Sequence, residues 1–194
     1  MAKIFYLFRH GETSYNLEKR WQGCSIDSLL NLNGQRQAAQ LAEKLQNNGL
    51  EIIYSSALKR ALQTSTIVAT KLDVPIQIIP DLREGNLGKA EGLLAQEVEN
   101  AYPDIFQAWY SPDNDMSIAF PHGESKQQMQ DRMFAVFHDL LQTPEQTIGV
   151  CSHGSSIRYL LMKFGILPHR MANTALYQII YDDDCWTAKI LSNQ

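Results

Sequence analysis

Arginine and histidine stand side by side at Arg9-His10-Gly11, and a second histidine precedes glycine at Ser152-His153-Gly154. A third polar stretch, Ser56-Ala-Leu-Lys-Arg60, supplies another arginine. Arginine offers a planar fork of donors that matches phosphate oxygens, and a helix beginning near Ser155 turns backbone N–H groups and the positive end of its dipole on the same ligand. Imidazole, with an ordinary pKa of about 6.5, is the one group of this set that makes a good nucleophile near neutral pH. Nearby positive charge favours the neutral ring. The chemistry open to these residue types is therefore phosphoryl transfer. Attack by His10 on phosphorus would give a phosphohistidine, and His153 could donate to the equatorial oxygens as charge builds there.

Such convergence needs a fold that gathers three distant segments. Each follows a short run of branched and aromatic residues, so Lys3–Phe8, Glu51–Ser55 and Thr147–Cys151 read as buried strands, with Ile76–Ile79 a further one. Ala38, Leu41, Ala42 and Leu45 recur at helical spacing, and Ser55-Ser56 reads as the cap of a helix carrying Leu58, Ala61, Leu62, Ala69 and Leu72. Ser125 to Gln128 resembles a capping box before Met129, Met133, Val136, Phe137 and Leu140. Ile157, Leu160, Leu161 and Phe164 mark the helix after the fourth strand, and Leu176–Tyr181 with Trp186–Leu191 reads as a closing antiparallel pair. This alternation predicts one domain over residues 1–194, a three-layer α/β/α sandwich with a mostly parallel mixed sheet. In such sheets ligands bind at the carboxyl ends of the strands. Two short helices at Leu93–Tyr102 and Asp104–Tyr110, then the turn-rich Ser111–Asp115, make residues 93–122 a candidate lid or substrate-specificity segment.

At 194 residues, 44% hydrophobic and 20% charged, the chain has room for one well-buried core. The net charge of −4, with no lysine or arginine cluster, argues against a nucleic-acid partner. No apolar run approaches the roughly 20 residues of a membrane span, and Arg9 and His10 interrupt the first one before any cleavage pattern. A cytoplasmic protein, monomer or homodimer, is expected. Cys24, Cys151 and Cys185 are too far apart for a C-x-x-C motif, and Cys151 reads as a small core residue. His10, His122, His153 and Glu84 show no H-x-E or H-E-x-x-H spacing, so neither a metal nor an organic cofactor is expected.

Further motifs accompany the first three. They are Glu12-Thr13 with Asn16, Gly34-Gln-Arg-Gln-Ala38, Ala61-Leu-Gln-Thr64, Leu82-Arg-Glu84-Gly-Asn-Leu-Gly88 with Glu91-Gly92, Gly123-Glu-Ser125, and Ile157-Arg158. Any one is weak, whereas their joint occurrence in this order is highly specific. Over essentially its whole length the sequence resembles the histidine phosphatase superfamily, in its phosphoglycerate mutase-like branch 1. The resemblance implies that His10 accepts the phosphoryl group, that Arg9, Asn16, Arg60 and His153 hold it beside Gly154, and that Gln22-Gly23 borders the substrate. It also implies that Glu84 protonates the leaving oxygen, which an alkoxide needs and the site does not otherwise provide. The implied activity is hydrolysis of small phosphorylated metabolites without a cofactor.

Two other functions fit the same motifs. A cofactor-dependent phosphoglycerate mutase returns the phosphoryl group from His10 to a second hydroxyl, but mutases of this family carry a longer, arginine-rich insertion where the stretch between Gly92 and Gly123 has no lysine or arginine. A non-catalytic phospholigand-binding regulatory module would have lost the nucleophile, the second histidine or the acid, and all three are present. Leu29 and Asn31 stand where relatives tend to have Pro and Thr, though Asn still caps a helix. Ala90 and His122 depart from the family pattern near the expected substrate rim. Trp21, Trp109, Tyr110, Met116 and Phe120 either line the cleft or pack in the core. Glu84 has the alternative of pairing with Arg83, Arg158 reads as a structural ion-pair residue, and His138 and His169 read as surface positions without a specific role.

Overall fold

The computed structural model describes residues 2–111, 115–167 and 171–193. Its strands are β1 (Lys3–Arg9), β2 (Ile52–Ser55), β3 (Ile76–Ile78), β4 (Thr147–Ser152), β5 (Leu176–Asp182) and β6 (Cys185–Ser192), which form one sheet in the order β3-β2-β4-β1-β5-β6. The first four pair in parallel, and β5 and β6 add antiparallel at one side. Parallel strands need both faces covered, and successive side chains alternate between them. Phe5 and Leu7 accordingly pack with Met133, Phe137 and Leu160, under α6 (Lys126–Leu140) and α7 (Gly154–Lys163). Tyr6 and Phe8 pack with Leu41, Ala61 and Val68, under α2 (Leu32–Leu45) and α3 (Lys59–Leu72). Three layers result, as the alternation of elements predicts, and Cys151 is fully buried in the second core.

Several local expectations hold. Asn31 caps α2 by accepting from the Gly34 N–H at 2.7 Å, and Ser125 and Gln128 cap α6 reciprocally. The start of α3 differs from the sequence reading. The helix opens at Lys59 with Leu58 as its N-cap, because the Ser56 hydroxyl lies against His153 and the Ser55 hydroxyl bonds with Ser65 of α3 and the Ser56 carbonyl.

Within residues 93–122, the candidate lid or substrate-specificity segment, two helices pack into a wall. Helices α4 (Ala95–Ala101) and α5 (Pro103–Tyr110) share a small core of Leu87, Ala90, Val98, Trp109, Phe120 and Tyr159. Buried Lys126 ties α6 to it, donating to the Ala108 carbonyl at 2.5 Å. Residues 112–114 of the turn-rich stretch, and His169, lie outside the described residues. Among the described residues no helix is long and apolar enough to cross a membrane.

An ion-pair network braces the loop after β3. Glu124 accepts from Arg83 at 2.7 and 2.9 Å, from Arg132 at 3.1 and 3.2 Å and from the Asn86 N–H at 2.7 Å. Burial pushes the Glu124 carboxyl upward, but the Arg83, Arg132 and Asn86 hydrogen bonds outweigh it and hold the pKa at about 2. A folded pKa below the ordinary 4.5 means stability that is present above that value and lost as pH falls toward 2. Glu124→Gln should therefore cost about 1–2 kcal/mol at neutral pH, after allowance for solvent screening. Urea titrations of both proteins between about pH 7 and pH 2.5 check this. The gap should narrow as pH falls, and a pH-independent gap would count against the network.

Candidate active site

The parallel register brings the polar strand ends together. Arg9 pairs with Ser152 across β1 and β4, Ser55 pairs with Cys151 across β2 and β4, and the His10 N–H donates to the Ser152 carbonyl at 3.1 Å. A pocket of about 320 Å³ opens at this carboxyl edge, with Arg9, His10, Asn16, Arg60, Glu84 and Gly154 in its lining.

His10 is 2% exposed, and its Nδ1 lies 2.7 Å from the Gly11 carbonyl. A carbonyl only accepts, so Nδ1 carries the proton and Nε2 keeps a bare lone pair. Burial, then Arg60 and Arg9, holds the His10 pKa well below 6.5. The ring is neutral and nucleophilic at physiological pH. His153 is fully buried, its ring 5.1 Å from that of His10, and burial followed by Arg60 keeps it neutral too.

Each arginine fixes its outer nitrogens on backbone carbonyls. Arg9 Nη1 donates to Met171 at 2.6 Å, and Arg60 donates from Nη1 to Ile26 at 2.7 Å and from Nη2 to Gly23 at 2.8 Å. Burial pushes Arg60 down to about 10, against the opposing charge of Glu84, and it stays a cation at neutral pH. Arg9 Nε, Arg60 Nε and His153 Nδ1 remain buried without a protein partner. Orphaned buried donors are rare; Arg9 and Arg60 line the pocket, and His153, which is not in the lining, stands beside His10, an arrangement suited to an anion. Asn16 fits the same pattern. Its Oδ1 accepts from Thr13 N–H, Thr13 Oγ1 and Asn173 Nδ2, which leaves its amide NH₂ for the pocket. Gly154 opens α7 against the Arg9 guanidinium, where a Cβ would stand 3.5 Å from Nε.

Glu84 does not pair with Arg83, which is committed to Glu124. Its carboxyl, 8% exposed, sits on the first turn of α7 and accepts from Ser155 N–H at 3.1 Å, Ser156 N–H at 3.0 Å and Gly85 N–H at 2.9 Å. Gln22 and Gly23 line the same pocket. Gly23 adopts φ 59°, and a side chain there would overlap the Glu91 carboxylate, so glycine is required on both counts.

Of the aromatic candidates, Trp21, Trp109 and Tyr110 line the pocket, whereas Phe120 is core and Met116 is absent from the lining. Ala90 and His122 are absent from it as well. Ala90 is buried under Trp109, and His122 is exposed on a turn beside Gly88, so neither forms the rim where the sequence reading put them. Arg158 lies on the rim, 5.4 Å over the Tyr110 ring, and donates to the Tyr110 carbonyl. His138 is exposed on α6. Sequence reasoning missed Asn173, whose amide bonds both the His10 carbonyl and Asn16, and the work of Glu91, which accepts from Cys24, Ser25 and Leu87 N–H groups and joins two site loops. Only the Glu91-Gly92 motif hinted at the second. Among the described residues no group of three or more His, Cys, Asp or Glu could hold a metal ion.

Comparison with known proteins agrees with this geometry. A phosphatase designated PhoE from Bacillus subtilis is 30% identical over 94% of this chain and 91% of its own length. A probable phosphoglycerate mutase, GpmB, from an Enterobacter species is 33% identical over 94% and 87%. A mutant phosphoserine phosphatase from Entamoeba histolytica, solved with phosphoserine, superposes with a TM-score of 0.84 at 28% identity over 98% of both chains. The profile of the histidine phosphatase superfamily, branch 1, matches residues 5–194. With a neutral histidine at the head of an arginine-lined pocket and that match over nearly its whole length, the chain belongs to the histidine phosphatase superfamily, branch 1.

Proposed function

We propose that this protein hydrolyses small phosphate monoesters through a phosphohistidine on His10, with Glu84 as proton donor. The observation that carries the reading is the set of buried, unpartnered donors on Arg9, Arg60 and His153 around a neutral His10. His10 Nε2 forms the N–P bond as the ester P–O bond breaks, and the leaving oxygen takes the Glu84 proton. Water then attacks phosphorus, gives its proton to Glu84 and releases inorganic phosphate and free His10. Arg9, Arg60, Asn16 and His153 hold the equatorial oxygens throughout, where charge builds in the transition state.

The rim selects the rest of the ester. Among the described residues the lining holds five basic side chains, Arg9, Lys19, Arg20, Arg60 and Arg158, against one carboxylate, Glu84. A phosphoryl dianion engages Arg9 and Arg60, and Arg20 is paired with Glu18 at 2.9 Å. Lys19, exposed on the lining, favours a substrate with a second acidic group. The Entamoeba relative solved with phosphoserine has a ligand of this kind.

A panel of phosphate monoesters tests this. Phosphoserine or 3-phosphoglycerate should exceed phosphoethanolamine or glycerol phosphate in kcat/KM by about 10-fold, the effect of roughly one charge contact. Lys19→Met should erase most of that preference while leaving the esters without a carboxylate unchanged. The relative named as a mutase favours a second reading, which the products separate. Release of inorganic phosphate from 3-phosphoglycerate should outrun formation of 2-phosphoglycerate, and the opposite ratio would establish a mutase.

A further inference from the structure

We infer that Ser56 is a positioning residue that fixes the proton of His153 on Nδ1, so that this nitrogen presents a hydrogen to the phosphoryl group. The inference rests on the reading of His153 as a phosphoryl ligand. Ser56 follows β2 and is fully buried. Its backbone is already engaged, the N–H with the Cys151 carbonyl at 3.1 Å and the carbonyl with Ser55 Oγ at 3.0 Å. Its hydroxyl oxygen accepts from the Leu58 N–H at 3.3 Å and lies 2.8 Å from His153 Nε2.

A hydroxyl has one proton to give and two lone pairs to receive with. Leu58 occupies a lone pair, and among the described residues His153 Nε2 is the only acceptor within reach of the Ser56 proton. The opposite arrangement, with Nε2–H donating to Ser56, would bury the serine proton without an acceptor and leave Nδ1 a bare acceptor without a donor. Two unsatisfied groups would result where Ser56 donation leaves one, and buried unsatisfied groups are costly. The one left is Nδ1–H, a hydrogen that a phosphoryl oxygen can accept. The ring is neutral, so it has a single proton to place.

The two site histidines then share one tautomer and present opposite ends of it. His10 anchors Nδ1–H on the Gly11 carbonyl and offers the lone pair of Nε2, as a nucleophile must. His153 anchors Nε2 on a hydroxyl and offers the hydrogen of Nδ1, as an anion ligand must. A carbonyl serves the first because it only accepts. A serine serves the second because it can donate.

A long-range nitrogen–proton spectrum of the wild-type protein, labelled with ¹⁵N at histidine and assigned with His153→Gln, reads the tautomer directly. Protonated Nδ1 and bare Nε2 are expected for His153 in the free protein, and protonated Nε2 would overturn the inference. Ser56→Ala should populate the Nε2–H form and lower kcat by up to about 10²-fold, the low end for losing one transition-state donor, with a smaller change in KM. Retention of the Nδ1–H form with full kcat in Ser56→Ala would also overturn it. The spectrum needs no turnover, so the expected tautomer in a protein inactive on every ester would sustain the role of Ser56 and count against the hydrolase reading alone.

Discussion

Replacing His10 by alanine is expected to take ester hydrolysis to background, a loss on the order of 10⁴-fold or more. Among the described residues the pocket lining holds no second histidine and no cysteine. Burial pushes the Cys151 thiol up to about 12, and burial together with Glu91 raises Cys24, so neither supplies thiolate at neutral pH. Brief exposure of the wild-type protein to ³²P-labelled ester, followed by denaturation, should leave acid-labile, base-stable label on His10. His10→Ala should take up none, yet should still bind inorganic phosphate through Arg9 and Arg60, which separates lost chemistry from lost folding. Label on a serine or cysteine would sink the mechanism.

Much of the fold was legible because it depends on local pattern. The unbroken apolar run from Phe5 to Phe8 and the helical spacing of Ala38 to Leu45 are written in residue types, and they place the strand ends to within a residue or two. The parallel register then follows, and with it the meeting of Arg9, His10, Arg60 and His153. What could not be read is the choice among distant partners. Arg83 sits next to Glu84 in the chain, yet it turns to Glu124 and leaves Glu84 to the N–H groups of α7. Ser56 had the chemistry of a helix cap, and tertiary contact gave its hydroxyl to His153 instead. Asn173 falls in a stretch without periodicity, so nothing in its neighbours marks it as the residue that orients Asn16. Ala90 and His122 departed from the family pattern, the first at a position buried in the wall and the second on an exposed turn, and the spacing of motifs carries no information about depth.

Glu84→Gln should slow phosphoryl transfer from alkyl phosphates to His10 by roughly 10²–10⁴-fold while affecting transfer from nitrophenyl phosphate much less. An acid that protonates a departing oxygen matters in proportion to how poorly that oxygen leaves. An alkoxide needs the proton, and a nitrophenolate is stable without it. Glutamine keeps the size of the side chain and one accepting oxygen, which can stay on Gly85 and Ser156, but it has no transferable proton. Its NH₂ would meet the Ser155 N–H, a donor facing a donor, so thermal unfolding of the variant must be compared with wild type before rates are interpreted. Because attack by His10 does not require Glu84, the variant should still be phosphorylated by the activated ester. Its phosphohistidine should then persist, since the same carboxylate takes the proton of the attacking water in the second step. Rapid-quench measurement of the labelled protein separates the two steps. An equal loss in the phosphorylation step on both esters, in a variant that folds normally, would make Glu84 a brace for the first turn of α7 and assign the proton to another group.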